Sequence, residues 1–399
     1  MSRIILIFSI FSLIAACSQQ QQDAAIDTDY QEKLLTQLLD ATPGDVITIP
    51  AGRFEFNRSL SLSVDGVTLR GAGIDKTILD FTGQLAGAEG LLVTASNFTV
   101  EDLAFENTTG DAIKVNEGEN IVFRRVRTEW TGGPKTKNGA YGFYPVQTKN
   151  VLIEDCVAIG ASDAGIYVGQ SDRVIVRNNR AEFNVAGIEI ENTTNADVYG
   201  NTATNNTGGI LVFNMPNLTQ YGGNVRVFEN VIDENNTKNF GHKGTPVASV
   251  PAGSGVVVNS HDYVEIFNNE IRNNKTANII ISSIYSANFG DDGMEETFDP
   301  YPEFISIYDN TLVGGGNSPD GLELKALKTA MFGLSGNLPD ILWDGYARSD
   351  AASAKICVKD SAVEVLNADM PGNNKNIQIV REPFACTIPA LSPVQLAAL

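Results

Sequence analysis

Apolar residues return along this chain in short alternating runs, and the runs recur at a fixed interval. Gly165-Ile166-Tyr167-Val168, Gly187-Ile188-Glu189-Ile190 and Gly209-Ile210-Leu211-Val212 each set a glycine ahead of a period-two run, with the glycines 22 residues apart. A second strand-like piece lies between them, Val174-Ile175-Val176-Arg177-Asn178-Asn179 and then Val198-Tyr199-Gly200-Asn201, and Asn179 and Asn201 are again 22 apart. Self-similarity at this period, built from β-branched runs and Asn/Gly turns, predicts a stacked solenoid in which each repeat is one coil of a parallel β-helix.

The same rhythm extends in both directions, through Phe98-Thr99-Val100, Ile121-Val122-Phe123 and Val151, and on to Val225-Arg226-Val227, Tyr263-Val264-Glu265-Ile266 and Phe304-Ile305-Ser306-Ile307. Asparagines follow these strands at Asn179, Asn201, Asn230, Asn269 and Asn310. Asn tolerates the left-handed region at a corner, and stacked amides can bond along a column, so these residues read as structural. Tyr30 to Leu39 places Leu34, Leu35, Leu38 and Leu39 on one helical face, suited to plug the first coil. The expected plan is a leader over 1–16, a flexible tether over 17–29, an all-β parallel β-helix over 30–316, and a C-terminal cap over 317–399 with a helix at Leu322 to Phe332. Insertions wider than the repeat fall at Thr131 to Asn150, Asn235 to Ala252 and Ser286 to Pro302, and such loops are where binding residues usually sit.

The first residues read Met1-Ser2-Arg3, an apolar run from Ile4 to Ile14, then Ala15-Ala16-Cys17-Ser18. That run is too short to span a bilayer and reads as an export signal. Ile14-Ala15-Ala16-Cys17 resembles the lipobox of bacterial lipoproteins, which implies that Cys17 is lipidated and that the protein is anchored to the outer membrane, on its periplasmic or surface side. Cys357 and Cys386 flank the C-terminal segment and are expected to pair in an oxidising compartment. Cys156 reads as a small buried hydrophobe. Only two histidines are present, which argues against a His-rich zinc site.

A formal charge of −20 over 399 residues argues against a nucleic-acid partner, which needs clustered Lys and Arg. Locally the balance reverses. Between Ile121 and Asn150, Arg124, Arg125, Arg127, Lys135, Lys137 and Lys149 face only Glu129, with Trp130, Tyr141, Phe143 and Tyr144 among them. Aromatic faces stack on sugar rings and cations pair with carboxylate or sulfate, so the stretch suits an anionic polysaccharide. The alternative is a solvated loop balancing an acidic body.

On the alternating strands, parity places Tyr144, Tyr167, Glu189 and Leu211 in one outward column, and Val146, Gly169, Glu191 and Phe213 in the next. Glu189 and Glu191 would then stand on an exposed face beside Tyr167, as hydrolase acid and base or as Ca²⁺ ligands. Tyr141, Glu189 and Glu191 are the candidate catalytic residues, and Trp130, Lys135, Lys137, Tyr144, Tyr167 and Arg173 the candidate substrate-binding ones. His242-Lys243 and His261-Asp262 read as surface pairs without a role. Asp291, Asp292, Glu295, Glu296 and Asp299 read as a solvated acidic loop that could bind Ca²⁺, and no other cofactor or metal is implied.

Gly44 to Gly52, with its Pro50-Ala51-Gly52 turn, and Arg70-Gly71-Ala72-Gly73 resemble the N-terminal region of the pectate-lyase-like β-helix superfamily, which implies a right-handed parallel β-helix. Tyr141-Gly142-Phe143-Tyr144-Pro145-Val146 resembles the active-site coil of the mannuronan C5-epimerases, which write Tyr-Gly-Phe-Asp-Pro-His there. The Asp and His positions are Tyr144 and Val146 here, and the acidic position one coil later is Gly169, so Tyr141 alone remains of the acid/base set that the resemblance implies. The whole chain also resembles bacterial β-helix lipoproteins of unassigned role, whose genes neighbour an exported haem protein. Two readings stay open, an exported β-helix that binds or processes an acidic polysaccharide and a non-enzymatic lipoprotein that binds a protein partner.

Overall fold

The computed structural model describes residues 30–286, 294–348, 355–359, 363–381, 384–397 and 399. Cys17, the leader, the tether, Asp291 and Asp292 lie outside them. The described residues form a right-handed parallel β-solenoid whose strands gather into one 12-stranded sheet, here the site sheet, and a 19-stranded sheet that wraps the other faces. A typical coil has three strands, such as Ala164–Gly169, Asp172–Arg177 and Arg180–Glu182, each pairing in parallel with its counterpart one coil away.

The strands of the site sheet used below are β1 (Ile113–Asn116), β2 (Tyr141–Val146), β3 (Ala164–Gly169), β4 (Ala186–Glu191), β5 (Gly208–Phe213), β6 (Ser254–Asn259), β7 (Ala277–Ser282) and β8 (Ile341–Trp343). Their registers carry Tyr167 onto Glu189 and Glu189 onto Leu211, as alternation predicts. Inward residues fill the core, Ile166, Val168, Ile188, Ile190, Ile210 and Val212 all being fully buried. Helix α1 (Tyr30–Leu39) covers the first coil with Leu34 and Leu38, while Tyr30 packs on Phe54 at 4.2 Å between ring centroids. Leu39, expected on the packed face, is 82% exposed.

Two asparagine ladders hold the corners. In the first, the Asn179 amide N–H and Nδ2 both donate to Asn201 Oδ1 at 2.9 and 3.0 Å, and Asn201 repeats this on Asn230, Asn230 on Asn269 and Asn269 on Asn310. Cys156, buried as expected, stands at the head of this column and donates its backbone N–H to Asn179 Oδ1. The left-handed residue at each corner is the preceding one, Asn178 at φ 56° and Asn268 at φ 53°, and not the ladder asparagine. The second ladder, Asn184, Asn206, Asn235 and Asn274, was not evident from the repeat. It explains the glycines that lead the site-sheet strands. A Cβ on Gly165, Gly187 or Gly209 would lie 2.6, 2.8 or 2.9 Å from a ladder amide nitrogen, so only glycine admits that close approach.

The coils do not stop at 316. β8 pairs with β7, and Ile356–Val358 pairs with Ile305–Tyr308, so the segment read as a cap contributes further coils beyond helix α2 (Leu322–Phe332). Cys357 and Cys386 are joined by a disulfide. From there the tail runs back along the solenoid, where the Val394 N–H donates to Asp197 and the Ala397 N–H to Asn150.

Candidate functional site

The outward face of β2, β3 and β4 gathers three tyrosines and several carboxyl groups. Tyr141, Tyr144 and Tyr167 form a mutual cluster with ring centroids 4.3, 4.8 and 4.9 Å apart. Tyr141 and Tyr144 are half-buried and Tyr167 is buried. From β1, the Lys114 ammonium lies over the Tyr144 ring at 5.2 Å. The Tyr167 hydroxyl donates to Glu191 Oε1 at 2.7 Å, and Tyr141 is hydrogen-bonded to Asp163.

Sequence parity put Glu189 and Glu191 on this face correctly, but neither is exposed. Glu189 is 1% accessible and Glu191 9%, because the insertion after Asn235 folds over the sheet and brings Val247 and Val250 into one buried apolar cluster with Tyr167, Ala186 and Leu211. Burial without a cation disfavours ionisation, and the neighbouring carboxyls add repulsion. Glu189 is therefore pushed well above the usual carboxylate range by desolvation, then by Asp163 and Glu191. Its Oε2 finds no partner among the described residues. Asp163 is raised to about 8 by burial and by Glu191 and Asp111. Glu191 is also raised by burial, but the Tyr167 hydrogen bond pulls it back. Asp111 rises to about 6 through burial, against the pull of Lys114. Burial also holds the phenols neutral, Tyr144 being pushed up to about 12. Burial thus favours the protonated form of Glu189, while the Tyr167 hydroxyl supports the anion of Glu191 beside it.

Asp111, Asp163 and Lys114 were not singled out from sequence. The available signal was the Asp-Ala pair that precedes an alternating strand at both Asp111-Ala112-Ile113 and Asp163-Ala164-Gly165-Ile166.

Other candidates lie elsewhere. Trp130 is 5% exposed, packs in the core and donates Nε1–H to the Thr108 carbonyl at 2.8 Å, so it offers no face to a ligand. Arg173 is on the other sheet, paired with Asp172 at 3.0 Å. The basic stretch is largely neutralised by acids of adjoining coils and strands. Arg124 pairs with Glu154 at 2.5 Å, Arg125 with Asp102 at 2.6 Å, and Arg127 with Glu106 at 2.8 Å and also with Glu129. Lys135 and Lys137 remain exposed on the loop that precedes Tyr141.

His261, read as a surface residue, is fully buried, and burial lowers it to about 4, so it is neutral. Asp262, Asp299 and Glu303 bring oxygens within 4.8 Å of one another, but Arg348 binds Asp299 and sits 3.0 Å from Glu303, placing a guanidinium where a cation would go. Glu295 is engaged with the Tyr221 hydroxyl at 2.7 Å and the Asn217 N–H.

Parallel coils, paired corner amides and a tyrosine and carboxyl face define a right-handed β-solenoid with a built polar site. The chain belongs to the right-handed β-helix family, whose profile, "Right handed beta helix region", matches residues 65–222 and 134–292. A sequence search of curated proteins finds no match. Among solved structures, the chain is similar to the A-module of mannuronan C-5 epimerase AlgE6 from Azotobacter vinelandii, at 17% identity and a TM-score of 0.51, over 81% of this chain and 87% of that one. The AlgE4 A-module of the same organism aligns at 17% identity and a TM-score of 0.49, over 73% and 93%. The alginate lyase AlyF-OU02 aligns at 12% and 0.45, over 80% and 77%. The likeness to the AlgE6 A-module, the one of these three above a TM-score of 0.5, is one of fold.

Proposed function

We propose that this protein is an exported β-helix that binds an acidic polysaccharide on the outer face of the site sheet and cleaves it by acid–base chemistry. The observation that carries the reading is the tyrosine cluster over the Asp163, Glu189 and Glu191 carboxyls. Neutral phenols and protonated carboxyls donate hydrogen bonds without adding negative charge, which lets an acidic face accept a uronate. The Tyr141 to Pro145 resemblance and the polymer-acting neighbours of the same fold point to the same ligand class.

In this reading Glu189 gives its proton to the leaving glycosidic oxygen, and Glu191 takes one from the attacking water or from the carbon acid beside a uronate carboxylate. Both hydrolysis and elimination need that pair. Reaching Glu189 requires the roof around Val247 and Val250 to lift. That closed roof is the observation favouring a second reading, a glycan-binding protein without turnover. Affinity electrophoresis in alginate and pectate gels tests the shared part. Wild type is retarded, and Tyr144→Ala weakens retention about threefold to tenfold, the worth of one aromatic contact. Equal mobility with and without polymer sinks both.

We further propose that Cys17 carries the lipid anchor, on the strength of its place after Ile14-Ala15-Ala16. Cys17→Ala then moves the protein from the membrane pellet to the soluble periplasmic fraction, and unchanged fractionation rejects the anchor.

A further inference from the structure

Further along the same outer face, the site sheet and helix α2 enclose a cavity of about 180 Å³. Its walls are apolar: Phe213, Val257, Ile280 and Leu342 from the sheet, Leu324 and Leu327 from the helix. It adjoins a wider space of about 670 Å³ that shares Val250, Leu324 and Leu327 and carries Asp320, Glu323 and Asn374 in its lining. An apolar void of roughly 150 Å³ stays dry and accepts a benzene-sized body.

Among the described residues two donors of the lining have no hydrogen-bond partner, Trp343 Nε1 and Asn259 Nδ2, and of the two Asn259 stands on the outward face of the site sheet. Asn259 is 2% exposed and projects outward from β6 in register with Phe213 and Ser282. Its Oδ1 accepts from the Ser282 hydroxyl at 3.0 Å, while Nδ2 has no partner among the described residues. A buried donor left unpaired is costly, and an acceptor on a bound molecule relieves that cost. Asp320, Glu323 and Asp344 around the cavity, on a chain of net charge −20, disfavour an anionic acceptor.

We propose that this cavity is a binding site for a small neutral carbonyl compound, a phenyl-sized ester or ketone, with its apolar body between α2 and the β6–β7 face and its carbonyl oxygen on Asn259 Nδ2. The site adjoins the tyrosine and carboxyl cluster through Phe213, Val250 and Val257 but is lined by none of its tyrosines or carboxyls, and its existence does not depend on the polysaccharide reading. The probe is methyl 4-fluorobenzoate, titrated against the full-length protein and followed by fluorine NMR. Saturable binding to one site is expected, with 4-fluorobenzoate anion at least about tenfold weaker. Leu327→Trp fills the space from the surface helix and abolishes binding. Asn259→Leu removes the donor and weakens the ester about tenfold, toward 4-fluorotoluene. Circular dichroism confirms that each variant keeps the β-solenoid. The assignment is overturned by the absence of saturable binding, by wild-type affinity in either folded variant, or by equal affinity for the ester and the anion.

Discussion

Between pH 5 and pH 9 the thermal midpoint of the wild-type protein is expected to fall by several degrees, and Glu189→Gln is expected to flatten that fall. Asp163, Glu189 and Glu191 all have folded-state pKa values above their unfolded ones, with Asp163 at about 8 against 3.8. A group raised on folding binds more protons in the native state, so its stabilisation is complete below the unfolded pKa and is lost as pH rises toward the folded one. The window therefore runs from about pH 4 to pH 8. Because the three groups repel one another, the loss is on the order of a few kcal/mol and belongs to the cluster, not to one residue. Glutamine at 189 keeps the shape, cannot ionise and offers an N–H₂ where Oε2 has no partner. The variant is then more stable than wild type at pH 8 and nearly equal to it at pH 4. Parallel pH profiles for the two proteins would show that the carboxyls are not buried together.

Breaking the first asparagine ladder has the second large effect. The Asn201 side chain accepts from the Asn179 N–H and Nδ2 and donates to the Val176 carbonyl and to Asn230 Oδ1, all at 2.9 to 3.0 Å. Asn201→Ala strips the Asn179 N–H and the Val176 carbonyl of these partners inside a fully packed corner. Each orphaned buried group costs about 1–3 kcal/mol, so a loss of about 2–4 kcal/mol is expected in chemical denaturation. Asn178, one residue earlier, supplies the left-handed corner at φ 56° and has no place in the ladder. Asn178→Ala should cost about 1 kcal/mol, because alanine lacks the short polar side chain that lets asparagine tolerate that region. Equal losses at 178 and 201 would mean that corner geometry, and not the amide column, holds the coils.

The contrast between these neighbours marks how far the sequence could be read. Asn179, Asn201 and their successors follow long β-branched strands, so the first ladder stands out at the repeat interval. Asn184, Asn206 and Asn235 follow strands of three residues, such as Arg180–Glu182, whose alternation is too brief to register. Their trace was the glycine column facing them, visible as Gly165, Gly187 and Gly209 but without a stated cause. Outward parity placed Tyr144, Tyr167 and Glu189 together correctly, since one-coil register follows from the period.

Exposure did not follow, because the residues that roof this face, Val247 and Val250, arrive from an insertion in the next coil. The basic stretch misled for a similar reason. Arg125 and Asp102 are 23 residues apart and Arg124 and Glu154 are 30 apart, distances that local charge counting treats as remote and that stacking brings into contact. Trp130 beside lysines looked like a sugar platform. Only its buried bond to Thr108 shows it to be core.

The most direct test of the polysaccharide site is turnover by the soluble protein begun after Cys17, incubated with alginate, pectate and sulfated polymers. New reducing ends, unsaturated-uronate absorbance and NMR of the polymer would be followed together. The account predicts cleavage of a uronan by wild type and a loss of about a thousandfold or more in Glu189→Gln, as removal of a general acid that also belongs to a coupled pair entails. Cleavage undiminished in Glu189→Gln, or no cleavage of any polymer under any of these conditions, would contradict it.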